Sequence, residues 1–207
     1  MEAMAENRQA GAAVPSPGIN PRETGFARLD FAALFGNDNP VALELGSGKG
    51  RFLIDSGGAR PEMNFLGVEK SLHYYRVIVT RLARHALPNA RIANHDALRV
   101  LREMVPDASI SEIHIYFPDP WPRKREQKRR LVREDLAREL LRVMRDDARG
   151  VYVSDHKDAF DAGREVLASM FEIHDVDALL SPPRTNYEAK YRAAGRPIYE
   201  VQFSRKN

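Results

Sequence analysis

Four acids in the sequence each stand at or just beyond a short apolar run. Glu44 lies in Val41-Ala42-Leu43-Glu44-Leu45, Glu69 closes Asn64 to Val68, Asp96 follows Ala90 to Asn94, and Asp119 follows Glu112 to Phe117. Carboxylates in such places can accept hydrogen bonds from a ligand's hydroxyls or amines, or set a fixed negative charge beside a reacting cation. The first acid opens Glu44-Leu45-Gly46-Ser47-Gly48-Lys49-Gly50-Arg51, where glycines allow a tight turn and close approach of a ligand. Arg51 stands where both the dinucleotide fingerprint and the phosphate-binding loop require glycine, so neither pattern is met. The last acid is wedged between Pro118 and Pro120, beside the chain's only tryptophan, Trp121. A dense cationic run, Arg123 to Arg130, follows at once and suggests a polyanion. Arg125, Lys128, Arg129 and Arg130 are its candidates for backbone phosphate contacts.

The elements that must position these residues follow from the spacing of apolar side chains. Strands are expected at 41–45, 64–69, 90–94, 112–117, 150–155, 171–176 and 197–203. A helix over 71–86 starts at Ser71 as a cap and stops before Pro88. A second, over 131–147, carries Leu136, Leu140, Val143 and Met144 on one face, and a third runs over 159–170. Short apolar runs alternating with amphipathic ones predict an α/β fold, a doubly wound, mostly parallel seven-stranded sheet whose last strand is antiparallel. The four acids then lie at the carboxyl ends of four successive strands and line one crevice at the switch point of the sheet. Residues 1–18, rich in Ala, Gly and Pro, read as a disordered tail, and 19–207 as a single domain.

The chain of 207 residues has 32 basic and 29 acidic residues, a net charge of +3. The argument for a nucleic acid is therefore the local run and not a global field. Cysteine is absent, which excludes disulfides, thiolate metal sites and a cysteine nucleophile and fits a reducing cytoplasm. The start of the sequence lacks the pattern of a signal peptide, and no apolar run is long enough to span a bilayer. The six histidines show no metal-ligand spacing, and His114, inside a strand, reads as a satisfied core residue. No metal is expected. Whether the chain is a monomer or a homodimer is left open.

The acidic-x-Gly-x-Gly-x-Gly loop resembles the first motif of the class I S-adenosylmethionine-dependent methyltransferases. Pro118-Asp119-Pro120-Trp121 with its basic run resembles the signature of the tRNA (guanine-N7-)-methyltransferases. That resemblance extends from about Leu34 to Phe203 and includes Leu34-Phe35-Gly36-Asn37, Gly67-Val68-Glu69 and Thr185-Asn186-Tyr187-Glu188. It implies S-adenosylmethionine as methyl donor and the variable-loop guanine of tRNA as acceptor. By position it implies cofactor contacts from Glu44, Gly46, Ser47, Gly48, Glu69, Asp96 and Asp119. It also implies substrate contacts from Arg123, Asp155, Thr185 and Glu188. The family often has lysine where this chain has Arg123, so a phosphate contact there becomes bidentate.

Guanine N7 carries a lone pair in neutral water and loses no proton on methylation, so positioning and a fixed negative charge suffice. Asp119, with little backbone freedom between two prolines, suits the catalytic role. Trp121 either packs behind it or stacks on a base. Either Asp155 or Glu188 accepts from the guanine edge. Two other readings are a methyltransferase of this fold acting on another RNA and a non-catalytic RNA-binding module. The latter has no need of the four acids together.

Overall fold

The computed structural model describes residues 16–176 and 184–206. Its sheet has eight strands in the order β1-β4-β3-β2-β5-β6-β8-β7. These are β1 (Gly18–Ile19), β2 (Val41–Leu45), β3 (Asn64–Val68), β4 (Ala90–Ala93), β5 (Ile110–Tyr116), β6 (Met144–Ser154), β7 (Phe171–Asp175) and β8 (Tyr199–Arg205). The helices are α1 (Pro21–Thr24), α2 (Phe31–Phe35), α3 (Arg51–Ala59), α4 (Leu72–His85), α5 (Ala97–Met104), α6 (Glu134–Val143), α7 (Lys157–Met170) and α8 (Asn186–Ala193), with a 3-10 segment at Lys124–Arg129.

β2 and β3 are buried along their whole length because helices cover both their faces, the usual reason a central parallel strand is continuously apolar. On one face Ala42, Phe65 and Ile92 meet Leu53 of α3 and Ile78 and Leu82 of α4. On the other, Leu43, Ile113 and Tyr152 meet Leu101 of α5, Leu136 and Leu140 of α6 and Leu167 of α7. β8 runs antiparallel to both β6 and β7, in the expected sense. From β2 the chain steps outward through β3 to β4, then returns to the other side of β2 at β5. The switch point is therefore the crevice beyond the carboxyl ends of β2 and β5.

Two boundaries differ from expectation. Gly18 and Ile19 pair with Ile92 and Ala93, so an eighth, edge strand begins inside the stretch read as tail; residues 1–15 of that stretch lie outside the described residues. The helix expected to reach residue 147 ends at Val143, and Met144 pairs with Ile110 as the start of β6. Sheet pairing there overrides the helical propensity of Met144 and Arg145. The cationic run forms a short 3-10 segment. Elsewhere strand ends fall within two residues of the spacing-based reading, and Ser71 caps α4 by accepting the Tyr74 amide. No helix among the described residues is long and apolar enough to cross a membrane.

Candidate active site

The loop after β2 shows why its glycines alternate. Gly46, Gly48 and Gly50 all have left-handed backbones, at φ 85°, 53° and 71°, which favour glycine over any residue with a Cβ. Four of its amides are spent within the protein. Gly46 and Ser47 donate to the Val68 carbonyl at 2.8 and 3.1 Å, Gly48 to Glu69 Oε2 at 2.8 Å, and Gly50 to the Ser47 carbonyl at 2.7 Å. The loop also lies close across β3: a Cβ at Gly67 would stand 2.5 Å from both Leu53 Cδ1 and Ser47 Oγ.

What the loop presents is acceptors. Glu44 is buried, and its Oε2 makes no hydrogen bond among the described residues; Ser47 Oγ, Asn94 Oδ1 and His95 Nδ1 are likewise buried and unpartnered. Buried polar atoms are nearly always paired in folded proteins, and the oxygens of Glu44, Ser47 and Asn94 gather where β2 and β4 end. Burial pushes the Glu44 carboxyl up to about 7, against the opposing influence of the Ser47 hydroxyl beside it and with the charge of Glu69 adding to the rise. Glu69 accepts the Gly48 amide on one oxygen and the Ser71 amide at 2.7 Å on the other, tying the β2 loop to the cap of α4. Each oxygen retains a second lone pair. Asp96 stands at the cap position of α5, and Lys70 Nζ reaches its Oδ2 at 3.2 Å. Asn94, quoted above only as the end of a strand, donates to the Glu69 and Lys70 carbonyls at 2.8 and 3.3 Å and so laces the ends of β3 and β4.

Asp119 follows β5 and is exposed, with no side-chain hydrogen bond or ion pair among the described residues. The residues bracketing its two prolines, Phe117 and Trp121, have left-handed backbones at φ 48° and 41°. Non-glycine residues in that region are uncommon and strained, and such strain gathers at functional sites. Trp121 lies under the Arg129 guanidinium, whose carbon is 4.9 Å from the ring centroid. That arrangement favours the packed role for Trp121 over the stacking one.

The cations divide. Arg123, Lys124, Arg125 and Lys128 are exposed, Arg123 carrying only a loose pair with Glu126 at 4.0 Å. Arg130 differs from these neighbours in its placement. It is half-buried and turned inward, with Nε donating to the Pro120 carbonyl at 2.9 Å.

On the far side of the crevice, Asp155 lies beside the Tyr191 phenol, whose pKa is raised by burial and then by the Asp155 charge. Tyr191 meets Phe117 edge-on with centroids 5.8 Å apart and Tyr187 at 6.1 Å. Tyr191 was not singled out from sequence, although its place four residues after Tyr187 sets both on one helix face. Thr185 caps α8, accepting the Glu188 amide at 3.0 Å. Glu188 is fully buried, and its carboxylate accepts from the Arg184 amide at 2.8 Å and from the Arg192 guanidinium. Arg184 also pairs with Glu200. Glu188 is thus a structural anchor for α8 in this geometry.

His114 is a satisfied core residue: Nδ1 meets the Tyr116 hydroxyl at 2.8 Å and Nε2 meets Glu112 at 3.0 Å. Among the described residues no group of His, Asp or Glu is placed to hold a metal ion.

Comparison with known proteins settles the family. A family model described as a putative methyltransferase matches residues 38–201. The tRNA (guanine-N(7)-)-methyltransferase of Salmonella choleraesuis is 34% identical over 192 residues, covering 88% of this chain and 80% of that one. The enzyme of the same description from Rhodopirellula baltica is 31% identical, over 87% of this chain and 72% of its own. The chain belongs to the tRNA (guanine-N7-)-methyltransferase family. Among solved structures, the 16S rRNA methyltransferase KamB matches with a TM-score of 0.62 at 13% identity, covering 86% of this chain and 93% of that one. A SAM-dependent methyltransferase from Aquifex aeolicus matches at 0.59 and 10% identity, covering 89% and 87%. At those identities the likeness is one of fold, and it agrees with the strand order described above.

Proposed function

We propose that the chain transfers the methyl group of S-adenosylmethionine to N7 of the variable-loop guanine of tRNA. The observation that carries this reading is the glycine loop, four of whose amides are spent internally while the oxygens of Glu44, Ser47 and Asn94 stand at its rim. A cofactor rich in donors and free of phosphate fits such a rim; a pyrophosphate does not. Glu69 and Asp96 are the acceptors for ribose and adenine, and Glu44, Gly46, Ser47 and Gly48 line the remainder. When bound, the cofactor supplies an electrophilic methyl group on a sulfonium cation.

Asp119 keeps a negative charge where positive charge moves from that sulfonium to the guanine ring, and no base is needed. Asp155 accepts from the N1–H and exocyclic amine of guanine, with Thr185 shaping the same wall. Arg123, Arg125 and Lys128 hold backbone phosphates, which carries affinity and register rather than base identity. Residues 19–207 act as one domain, in the cytoplasm.

The test is transfer of labelled methyl groups to unmodified tRNA, followed by nucleoside mass spectrometry, with 7-methylguanosine as the expected product. A non-catalytic RNA binder would show neither transfer nor thermal stabilisation by S-adenosylmethionine.

A further inference from the structure

We propose that Arg130 is a positioning residue that fixes the Asp119 loop by holding the Pro120 carbonyl, and that it takes no part in phosphate binding. This rests on the reading of Asp119 given above.

The loop cannot hold itself. Pro118, Pro120 and Pro122 remove three backbone donors from six consecutive residues, 117 to 122. Two of the others, Phe117 and Trp121, sit in strained left-handed conformations. The entry is anchored, because the Phe117 amide donates to the Val153 carbonyl at 2.8 Å. The exit is held from outside. Arg130 Nε donates to the Pro120 carbonyl at 2.9 Å, one residue past Asp119, and Nη1 reaches the Asp158 carbonyl in the first turn of α7 at 3.5 Å. One guanidinium therefore spans from the loop after β5 to the helix after β6, across the crevice where Asp119 stands.

The segment carrying Arg130 is itself fastened. Arg133 donates to the Lys128 carbonyl and is gripped by Asp135 at 2.8 Å, while the Arg129 guanidinium covers Trp121. A phosphate anchor keeps its donors in solvent. Arg130 has one donor on the loop, and its Nη2 is buried. A charge taken from water to hold one carbonyl is a costly arrangement unless the position of that carbonyl matters. The residue that depends on it most closely is Asp119.

The experiment compares Arg130→Lys and Arg130→Gln with wild type in single-turnover methyl transfer at saturating tRNA and cofactor. It adds the salt dependence of tRNA binding, the melting temperature and acrylamide quenching of Trp121 fluorescence. Trp121 is the only tryptophan, so quenching reads this loop alone. Displacements of about 1 Å at a reacting centre cost on the order of 100-fold in rate. Both variants are expected to lose at least about 10-fold in turnover, with increased Trp121 quenching and an unchanged salt slope. Lysine keeps the charge but lacks the planar fork, so charge alone does not rescue.

The proposal is overturned if Arg130→Lys turns over normally, or if Arg130→Gln flattens the slope of log K against log salt by roughly 0.7 to 0.9, the signature of a lost phosphate contact. Should the glutamine variant fail to fold, the lysine variant carries the turnover and quenching tests by itself. Asp119→Asn, measured alongside, separates the two readings. If it retains normal turnover, the role of Asp119 is wrong; if it loses turnover while the Arg130 variants do not, the positioning role alone is wrong.

Discussion

Glu69 Oε2 accepts the Gly48 amide at 2.8 Å, so the acid that ends β3 also holds the loop that follows β2. In Glu69→Gln, an amide nitrogen must face either the Gly48 or the Ser71 N–H. A buried donor left unsatisfied costs about 1–3 kcal/mol. We expect the free protein to melt several degrees lower, at about 2–4 °C per kcal/mol for a chain of this size. Affinity for S-adenosylmethionine should fall by at least an order of magnitude. Calorimetric titration beside a thermal melt checks both. Normal affinity in a less stable variant would confine Glu69 to a supporting role.

Glu44 gives the site a dependence on pH. Its folded carboxyl titrates near 7, raised by burial from 4.5. Because the folded form binds the proton more tightly, the stability tied to this group is fully present below about pH 4.5 and is lost as pH rises through about 7. Glu44→Gln should remove that slope and make the free protein more stable at pH 8. Cofactor donors favour the ionised carboxylate, so binding should strengthen from pH 6 to 8. It should also release a proton at pH 6, visible as a buffer-dependent heat. Single-turnover chemistry at saturating cofactor should stay flat over the same range, since guanine N7 needs no deprotonation.

The framework was legible because the relevant physics is local. Apart from Glu44 and Asn64, the runs Val41 to Leu45 and Asn64 to Val68 are apolar, as strands covered on both faces tend to be, and Ser71 and Pro88 punctuate the helix between β3 and β4. The four acids could be placed at strand ends for the same reason. What stayed hidden depends on partners that only the folded chain brings together. Met144 becomes a strand residue only because Ile110 lies beside it. Arg130 looks like its cationic neighbours until the loop ten residues earlier folds back over it. Glu188 reads as a free acid because Arg184 and Arg192, four residues to either side, close on it only once α8 forms and packs. A charge inventory by sequence cannot separate anchors of RNA from anchors of the fold.

Asp155 and Glu188 should therefore part company in mutagenesis. Asp155→Asn loses an acceptor to the guanine edge, worth about 1–3 kcal/mol of discrimination, so kcat/KM should fall roughly 10- to 100-fold with little change in melting temperature. Glu188→Gln strips the counter-charge from two arginines in a buried network, and breaking such a pair costs about 3–5 kcal/mol. Its effect should appear first as a lower melting temperature. Steady-state kinetics and thermal melts on the two variants decide the assignment, and the reverse pattern would return Glu188 to the guanine pocket.

Exposed cations of the 3-10 segment should govern affinity. In the double variant Arg125→Ala, Lys128→Ala, log K against log salt should flatten by roughly 0.7 to 0.9 for each phosphate contact removed. The methylated guanine should remain the same, and saturating tRNA should restore most of the rate. An unchanged slope would make the segment a solvated surface.

The central claim is the atom and the place of methylation. The direct measurement uses an unmodified tRNA transcript and a twin in which the variable-loop guanine is replaced by adenine, each incubated with enzyme and labelled S-adenosylmethionine and then mapped by mass spectrometry of nuclease fragments. The account predicts one 7-methylguanosine per molecule, in the variable-loop fragment of the first transcript, and none in the second. Methyl groups in the twin, or on another atom of the first, would contradict it.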